Sequence, residues 1–321
     1  MAEQRASGST RVVLVGYGPV GGRFVEELLP AVRLGLISLT VLGAEDDAAY
    51  NRVLLAEYAV GRANRARLDL GDPAVAVAAG VTLRLGNAAA SINRFRQTVT
   101  LASGETVPYD RLVLATGARA NIPTLEGLES TRIGFGAVSV PPSVPRGHAA
   151  PHAVRTAMSI DAAHELPRGV VVLRDLADAE VVRAAAGAGR HIVILGAGVL
   201  GMELALALRE QGARVTVVHH GDAPMARNLD RGGGRMLARA AETVGVEMVN
   251  HSRAESVLHR TADDGYLVFD ALVCADGKQI AGDLLVLSCG VGARSEIAAR
   301  AGLAVGRGVL VDEELRSWSD P

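Results

Sequence analysis

Twice along the chain a short aliphatic run breaks into closely spaced glycines and then resumes at helical spacing. Residues 11–29 read RVVLVGYGPVGGRFVEELL and residues 190–209 read RHIVILGAGVLGMELALALR. In each copy the first run is short, continuous and β-branched, which predicts a buried strand, and the apolar positions after the glycines recur with the period of a helix. Each copy then leads to a further strand pattern, Leu36–Leu42 (LISLTVL) in the first and Arg214–Val218 (RVTVV) in the second. Between them, residues 109–117 (YDRLVLATG) predict another strand that ends at Thr116-Gly117. Strand alternating with helix predicts parallel sheets and an α/β fold.

The glycines in both copies stand as GxGxxG: Gly16, Gly18 and Gly21, then Gly196, Gly198 and Gly201. The first glycine permits the tight strand-to-helix turn, and the second lets the backbone approach a pyrophosphate. The third allows the helix to pack closely on the strand, while the helix N-terminus offers free N–H groups and positive potential to the phosphates. One such motif is a weak signal, since any α/β protein has glycine-rich turns. Two copies, each between a strand and a helix, point to two dinucleotide sites. A carboxylate at the end of the second strand can accept both ribose hydroxyls, and Glu45, after Gly43-Ala44, is placed to do so. The second copy has His219 and His220 there and no acid, which removes a ribose ligand and also the repulsion of a 2′-phosphate, leaving NADH and NADPH both open.

Composition narrows the possibilities. The chain has 321 residues, enough for two domains, with 49% apolar but only 3% aromatic residues, so its core must be mostly Ala, Val and Leu. A net charge of −2 without a dense basic block argues against a nucleic-acid footprint. Lys278 is the single lysine, so it is the one lysine any cofactor chemistry could draw on. Cys274 and Cys289 lie in apolar runs, too far apart for a CxxC or a zinc set, and read as core residues. The N-terminus has no signal-peptide pattern, and the apolar run Ile192–Leu208 is interrupted by Glu203 and three glycines. A cytoplasmic protein without a membrane span is expected.

With the order GxGxxG, Ala-Thr-Gly, GxGxxG, the chain resembles the two-dinucleotide flavoproteins of the pyridine nucleotide-disulfide oxidoreductase family. The resemblance implies two Rossmann-like domains of glutathione-reductase type, the second inserted in the first. The expected bounds are 1–127 for the first FAD-binding segment, 128–167 for an irregular linker and 168–289 for the NAD(P)H-binding domain, with 290–321 returning to the FAD domain. Finer matches are to the FAD/NAD(P)H module of assimilatory nitrite reductase large subunits: YNRVLLAEY (50–58), LRDLADAE (173–180), VTVVHHGDAPMARNLD (215–230) and the segment 289–321.

By that resemblance Gly16, Gly18, Gly21, Glu45, Arg52, Thr116 and Gly117 hold FAD. Gly196, Gly198 and Gly201 hold NAD(P)H, flanked by Glu203 and His219. The implied activity is NAD(P)H oxidation through FAD, with no acid–base residue required and no metal site in this chain. Electrons would pass to a downstream acceptor domain or subunit, in the full enzyme towards nitrite, through an iron–sulfur cluster and sirohaem carried elsewhere. Three departures matter: Gly292-Ala293 stand where the family has Arg-Pro, Ala56-Glu57 replace a serine pair or Ser-Lys, and the CxxxxC dithiol motif is absent. The chain also stops at Ser319–Pro321, just before the expected acid for the FAD ribityl chain, and so reads as the front part of a longer flavoprotein. A ferredoxin or rubredoxin reductase shares every glycine motif, and a non-enzymatic nucleotide-binding module with a decayed flavin site is the third reading. The linker 128–168 contains Pro141, Pro142, Pro145 and Pro151, and Pro151 between His148 and His152 argues against a helical metal pair.

Overall fold

In a computed structural model of the chain, residues 9–128 and 166–318 are described. The linker, with His148 and His152, therefore lies outside the described residues but for its edges, as do Ser319–Pro321.

The first glycine copy forms the strand Thr10–Val15 and the helix Pro19–Arg33. Val12 to Val15 are all buried, as a strand covered on both faces requires. Thr10–Val15 lies between two parallel neighbours, Ile37–Leu42 and Arg111–Leu114, and Thr82–Arg84 adds to the outer side of Ile37–Leu42. The second copy repeats this core. His191–Leu195 lies between parallel Arg214–Val218 and Leu284–Leu287, with Glu247–Val249 and Val170–Val171 at the two edges. The two parallel sheets share no strand pairing. Among the described residues, no helix is long and apolar enough to cross a membrane.

Two expected strands are shorter than their apolar pattern. Leu36 follows the turn at Gly35 (φ +69°) and is exposed, so pairing starts at Ile37. Of YDRLVLATG only Arg111–Leu114 is strand, because Asp110 turns to accept the Arg11 backbone N–H at 2.8 Å and its guanidinium at 2.7 Å. Two three-stranded antiparallel sheets, Ala89–Asn93 with Thr98–Leu101 and Thr106–Pro108, and Ala254–Thr261 with Leu267–Cys274 and Gln279–Ala281, complete the units.

The units also share a core. Leu55, Ala59 and Leu68, from the helical stretch after the first site, are buried in one cluster with Val182, Leu204 and Leu208 of the second unit. Each fully buried leucine of this kind contributes roughly 1.5–3 kcal/mol. Tyr58 donates to Glu180 across the same contact. The chain crosses back after the second unit: Val291–Ala293 pairs antiparallel with Ala118–Ala120, directly after Thr116-Gly117.

Candidate functional site

The two glycine loops are built alike. Gly16 has φ +109° and Gly196 φ +116°, values that a side chain would strain. A Cβ on Gly16 would stand 2.1 Å from the Ala115 carbonyl oxygen, and one on Gly196 2.3 Å from that of Ser288. A Cβ on Gly21 would meet the Gly16 carbonyl at 2.2 Å, and one on Gly201 the Gly196 carbonyl at 2.1 Å. Protein packing therefore demands glycine at the first and third positions. The middle position differs. A Cβ on Gly18 would come no nearer than 4.0 Å to anything, the Arg52 Nε, and Gly198 faces open space. No atom of the described residues requires those two positions to be glycine, which is what a loop shaped for an incoming phosphate group would show.

Capping gives the same indication. The helices Leu176–Gly187 and Arg231–Thr243 are capped by Asp175 and Asp230, whose carboxylates accept backbone N–H groups at 2.9 Å and 2.7 Å. Pro19–Arg33 and Val199–Glu210, which follow the glycine loops, have Gly18 and Gly198 at the cap and no side-chain hydrogen bond there. Their N-terminal N–H groups and positive dipole ends remain available for an anion.

Around the first loop the polar side chains form one network. Glu45 accepts Arg52 Nη2 on Oε1 at 2.5 Å and Tyr50 Oη on Oε2 at 2.8 Å. Arg52 Nη1 also donates to Tyr50 Oη at 2.6 Å and to the Arg174 carbonyl at 3.0 Å. A carboxylate has about four lone-pair sites, so Glu45 can still accept two ribose hydroxyls with these bonds in place. Burial, then donation to Glu45, raises the Tyr50 phenol well above its ordinary range, keeping it a neutral donor. Arg174 is lowered first by burial and then by the nearby charges of Arg52 and Arg294. Arg52 thus lies beside the uncapped helix, its Nε 4.0 Å from where a Gly18 Cβ would stand, and among the described residues Glu45 ion-pairs with Arg52, while Arg174 feels the charges of both Arg52 and Arg294. Thr116 Oγ1 donates to the Arg294 carbonyl at 2.6 Å, and Arg294 N–H to the Gly117 carbonyl at 3.0 Å, so these turn residues anchor the returning strand.

At the second loop the strand-end residues behave differently. His219 is 6% exposed, and its Nε2 lies 2.7 Å from Asn250 Oδ1. Since that oxygen only accepts, Nε2 carries the proton. Burial, partly opposed by this bond, lowers the pKa of the ring. His219 therefore sits in the wall of the site rather than open to a ribose, and His220, the next residue, is the exposed one. Glu203 is exposed on Val199–Glu210. Cys274 and Cys289 are free, with burial pushing Cys289 up to about 11 and raising Cys274 too, so neither is poised as a thiolate. Lys278 pairs with Asp276 at 2.8 Å.

The sequence reading did not single out Tyr50, Arg174 or Arg294. Tyr50 stands in YNRVLLAEY, Arg174 in LRDLADAE and Arg294 in the segment 289–321, with no role attached to any of them. Arg174 and Arg294 lie 122 and 242 positions from Arg52, and only the fold brings them beside it. A local signal existed for Arg174: it directly precedes Asp175, the cap of a capping box with Asp178.

Two Rossmann-type α/β units, each with a GxGxxG loop between strand and helix, define the class of this protein. The chain belongs to the pyridine nucleotide-disulphide oxidoreductase family, whose pattern matches residues 10–321. It is 32% identical over 312 residues to the nitrite reductase [NAD(P)H] large subunit of Klebsiella oxytoca, covering 97% of this chain and 28% of that protein. It is 28% identical over 301 residues to the ferredoxin–NAD(+) reductase component of the biphenyl dioxygenase system of Paraburkholderia xenovorans, covering 94% of this chain and 63% of that one. Among solved structures, the ferredoxin reductase for the CYP199A2 system of Rhodopseudomonas palustris superposes with a TM-score of 0.76 at 25% identity, over 98% of this chain and 66% of that one. The chain thus spans less than two thirds of each of these relatives.

Proposed function

We propose that this chain is an NAD(P)H-oxidising flavoprotein module. The first glycine loop seats FAD and the second NAD(P)H, and electrons leave for an acceptor outside the chain. Residues 1–127 and 290–321 would form the FAD-binding domain, and 168–289 the NAD(P)H-binding one. The observation that carries the reading is the pair of loops whose middle glycines nothing in the protein requires, each before an uncapped helix.

Assignment of FAD to the first loop rests on its charges. Arg52, Arg174 and Arg294 suit a pyrophosphate, and Glu45 suits the adenosine ribose. When bound, FAD supplies the chemistry, accepting a hydride from the nicotinamide. The chain's own residues bind and orient. Tyr50 stays protonated and fixes Glu45, Arg52 ties the first site to the backbone at Arg174, and the shared core holds the two loops in register. No side chain need move a proton during hydride transfer.

Nitrite reduction in a full-length enzyme is the finer reading, favoured by the match across the length of the Klebsiella protein's corresponding region. A ferredoxin- or rubredoxin-type reductase is the second reading, favoured by relatives of that description at similar identity. Both share the first step, which one experiment tests. Protein incubated with FAD and freed of excess should retain flavin, and anaerobic NADH or NADPH should bleach its absorbance. A folded protein that retains no flavin would instead favour a non-enzymatic nucleotide-binding module.

A further inference from the structure

Resting on the reading that the first loop seats FAD and the second NAD(P)H, we propose that Tyr58 and Arg62 are positioning residues for hydride transfer. They fix the helix Leu55–Ala59 onto two helices of the second unit and so hold the two loops at a set separation. Neither residue belongs to a glycine loop or to the network around Glu45.

The helix Leu55–Ala59 follows the turn Arg52–Leu54 without a break. The residue that ties down Glu45 and the helix that crosses to the second unit are therefore one piece of chain. The buried side of that helix packs against Leu176–Gly187 and Val199–Glu210, and each of these begins at a site. Leu176–Gly187 starts just after Arg174, whose carbonyl accepts Arg52 Nη1. Val199–Glu210 starts at Gly198 of the second loop.

Polar contacts close both flanks of this packing. Tyr58 Oη donates to Glu180 on the first of those helices, and Arg62 pairs with Glu210, the last residue of the second. Gly61, at φ +76°, ends the crossing helix and turns the chain back. Its N–H donates to the Tyr58 carbonyl at 3.0 Å, and Arg62 N–H to that of Glu57 at 2.8 Å, which aims Arg62 at Glu210. Tyr58 is buried, with the Arg183 guanidinium 5.5 Å from the centre of its ring.

An exposed ion pair adds little stability, so the place where these contacts act matters more than their energy. The two parallel sheets share no strand pairing, and the ribbon of Ala118–Ala120 with Val291–Ala293 is only two strands wide, too slight to fix an angle by itself. Val199–Glu210 has 12 residues, a length of about 18 Å. A tilt of about 5° around its Glu210 end would carry Gly198 through about 1.6 Å. A misplacement of about 1 Å can cost hydride transfer about 100-fold in rate.

The test compares the unaltered protein with Tyr58→Phe/Arg62→Gln and with the conservative Arg62→Lys. Spin labels at Val77→Cys and Val244→Cys, exposed positions on different units, report the separation of the units in a Cys274→Ala/Cys289→Ala background. The unaltered protein and Arg62→Lys should give one narrow distance, and the double variant a broadened distribution. In the double variant the maximal rate of anaerobic flavin reduction by NADH should fall by about tenfold or more, with calorimetric affinities for FAD and NADH kept within about threefold. An unchanged maximal rate overturns the proposal, whether or not the distance broadens or stability falls. So does a narrow distance in the double variant, or a loss confined to NADH affinity, which would mark a binding role. Tyr58→Phe alone removes a single oxygen and carries the same comparison where the double variant does not fold. If NADH fails to reduce flavin in the unaltered protein, the proposed function fails and takes this inference with it, whereas a normal rate in the double variant removes this inference alone.

Discussion

The two glycine loops have nearly the same backbone and quite different surroundings. In both, the first glycine's N–H donates 2.8 Å to the last carbonyl of the second strand, Leu42 in one and Val218 in the other. In both, the third glycine lies against the first. They part at the end of that second strand. The first has Glu45 in a fixed network with Tyr50 and Arg52, and the second has buried His219, bonded to Asn250. In the proposed reading the loop would serve the pyrophosphate, which every dinucleotide carries, and the strand end the part that differs. Similar loops therefore need not imply the same ligand.

The largest expected effects test the shared part. Gly16→Ala or Gly196→Ala drives a Cβ into a carbonyl oxygen at positive φ and should cost roughly 3–5 kcal/mol, read as a lower urea midpoint. Gly18→Ala and Gly198→Ala meet nothing closer than 4.0 Å and should change stability by less than about 1 kcal/mol. Equal losses at all four positions would mean that the middle glycines also serve packing.

Next in size is the arginine that sets the first site apart. Arg52→Ala removes the ion pair to Glu45 and the bond to the Arg174 carbonyl. FAD affinity should fall roughly 10- to 100-fold with nicotinamide affinity little changed. A comparable loss at both sites would show Arg52 acting through the shared core.

The smallest effect is in pH and belongs to the second unit. Burial lowers the pKa values of His191, His219 and His259 from the ordinary 6.5. The folded protein holds these rings neutral while the unfolded chain takes up protons, so stability is full above 6.5 and declines as pH falls below it towards the depressed folded values. Asp178, raised by burial, acts with the opposite sign at lower pH. The urea midpoint should be lower at about pH 5.5 than at about pH 7.5, and His219→Gln should flatten that slope. An unchanged slope in the variant would place the titration elsewhere.

Much of the fold could be read along the chain because its signals are local. Two strand–glycine–helix patterns gave both parallel cores, and the steric reasons for Gly16, Gly21, Gly196 and Gly201 are those their spacing implied. Glu45 and Arg52 were each legible, but not their ion pair, which closes across a separation of seven positions. Arg174 and Arg294 were not, since their roles depend on the helix Leu176–Gly187 and the strand Val291–Ala293 returning to the first site. At His219-His220 sequence could not say which ring is buried. Val215–Val218 are all buried, so no alternation along the strand carries into the pair, and the hydrogen bond to Asn250 accompanies the burial of His219.

The central claim is that each loop seats its own dinucleotide. Its most direct measurement is calorimetric titration of Gly18→Ala and Gly198→Ala with FAD and with NADPH. If the loops seat dinucleotides, a Cβ at either position would stand where the pyrophosphate approaches, and should weaken binding there by about tenfold or more. The account predicts that Gly18→Ala loses FAD affinity and keeps that for NADPH, and that Gly198→Ala does the reverse. Loss of both ligands in either variant, or of neither in both, would contradict it.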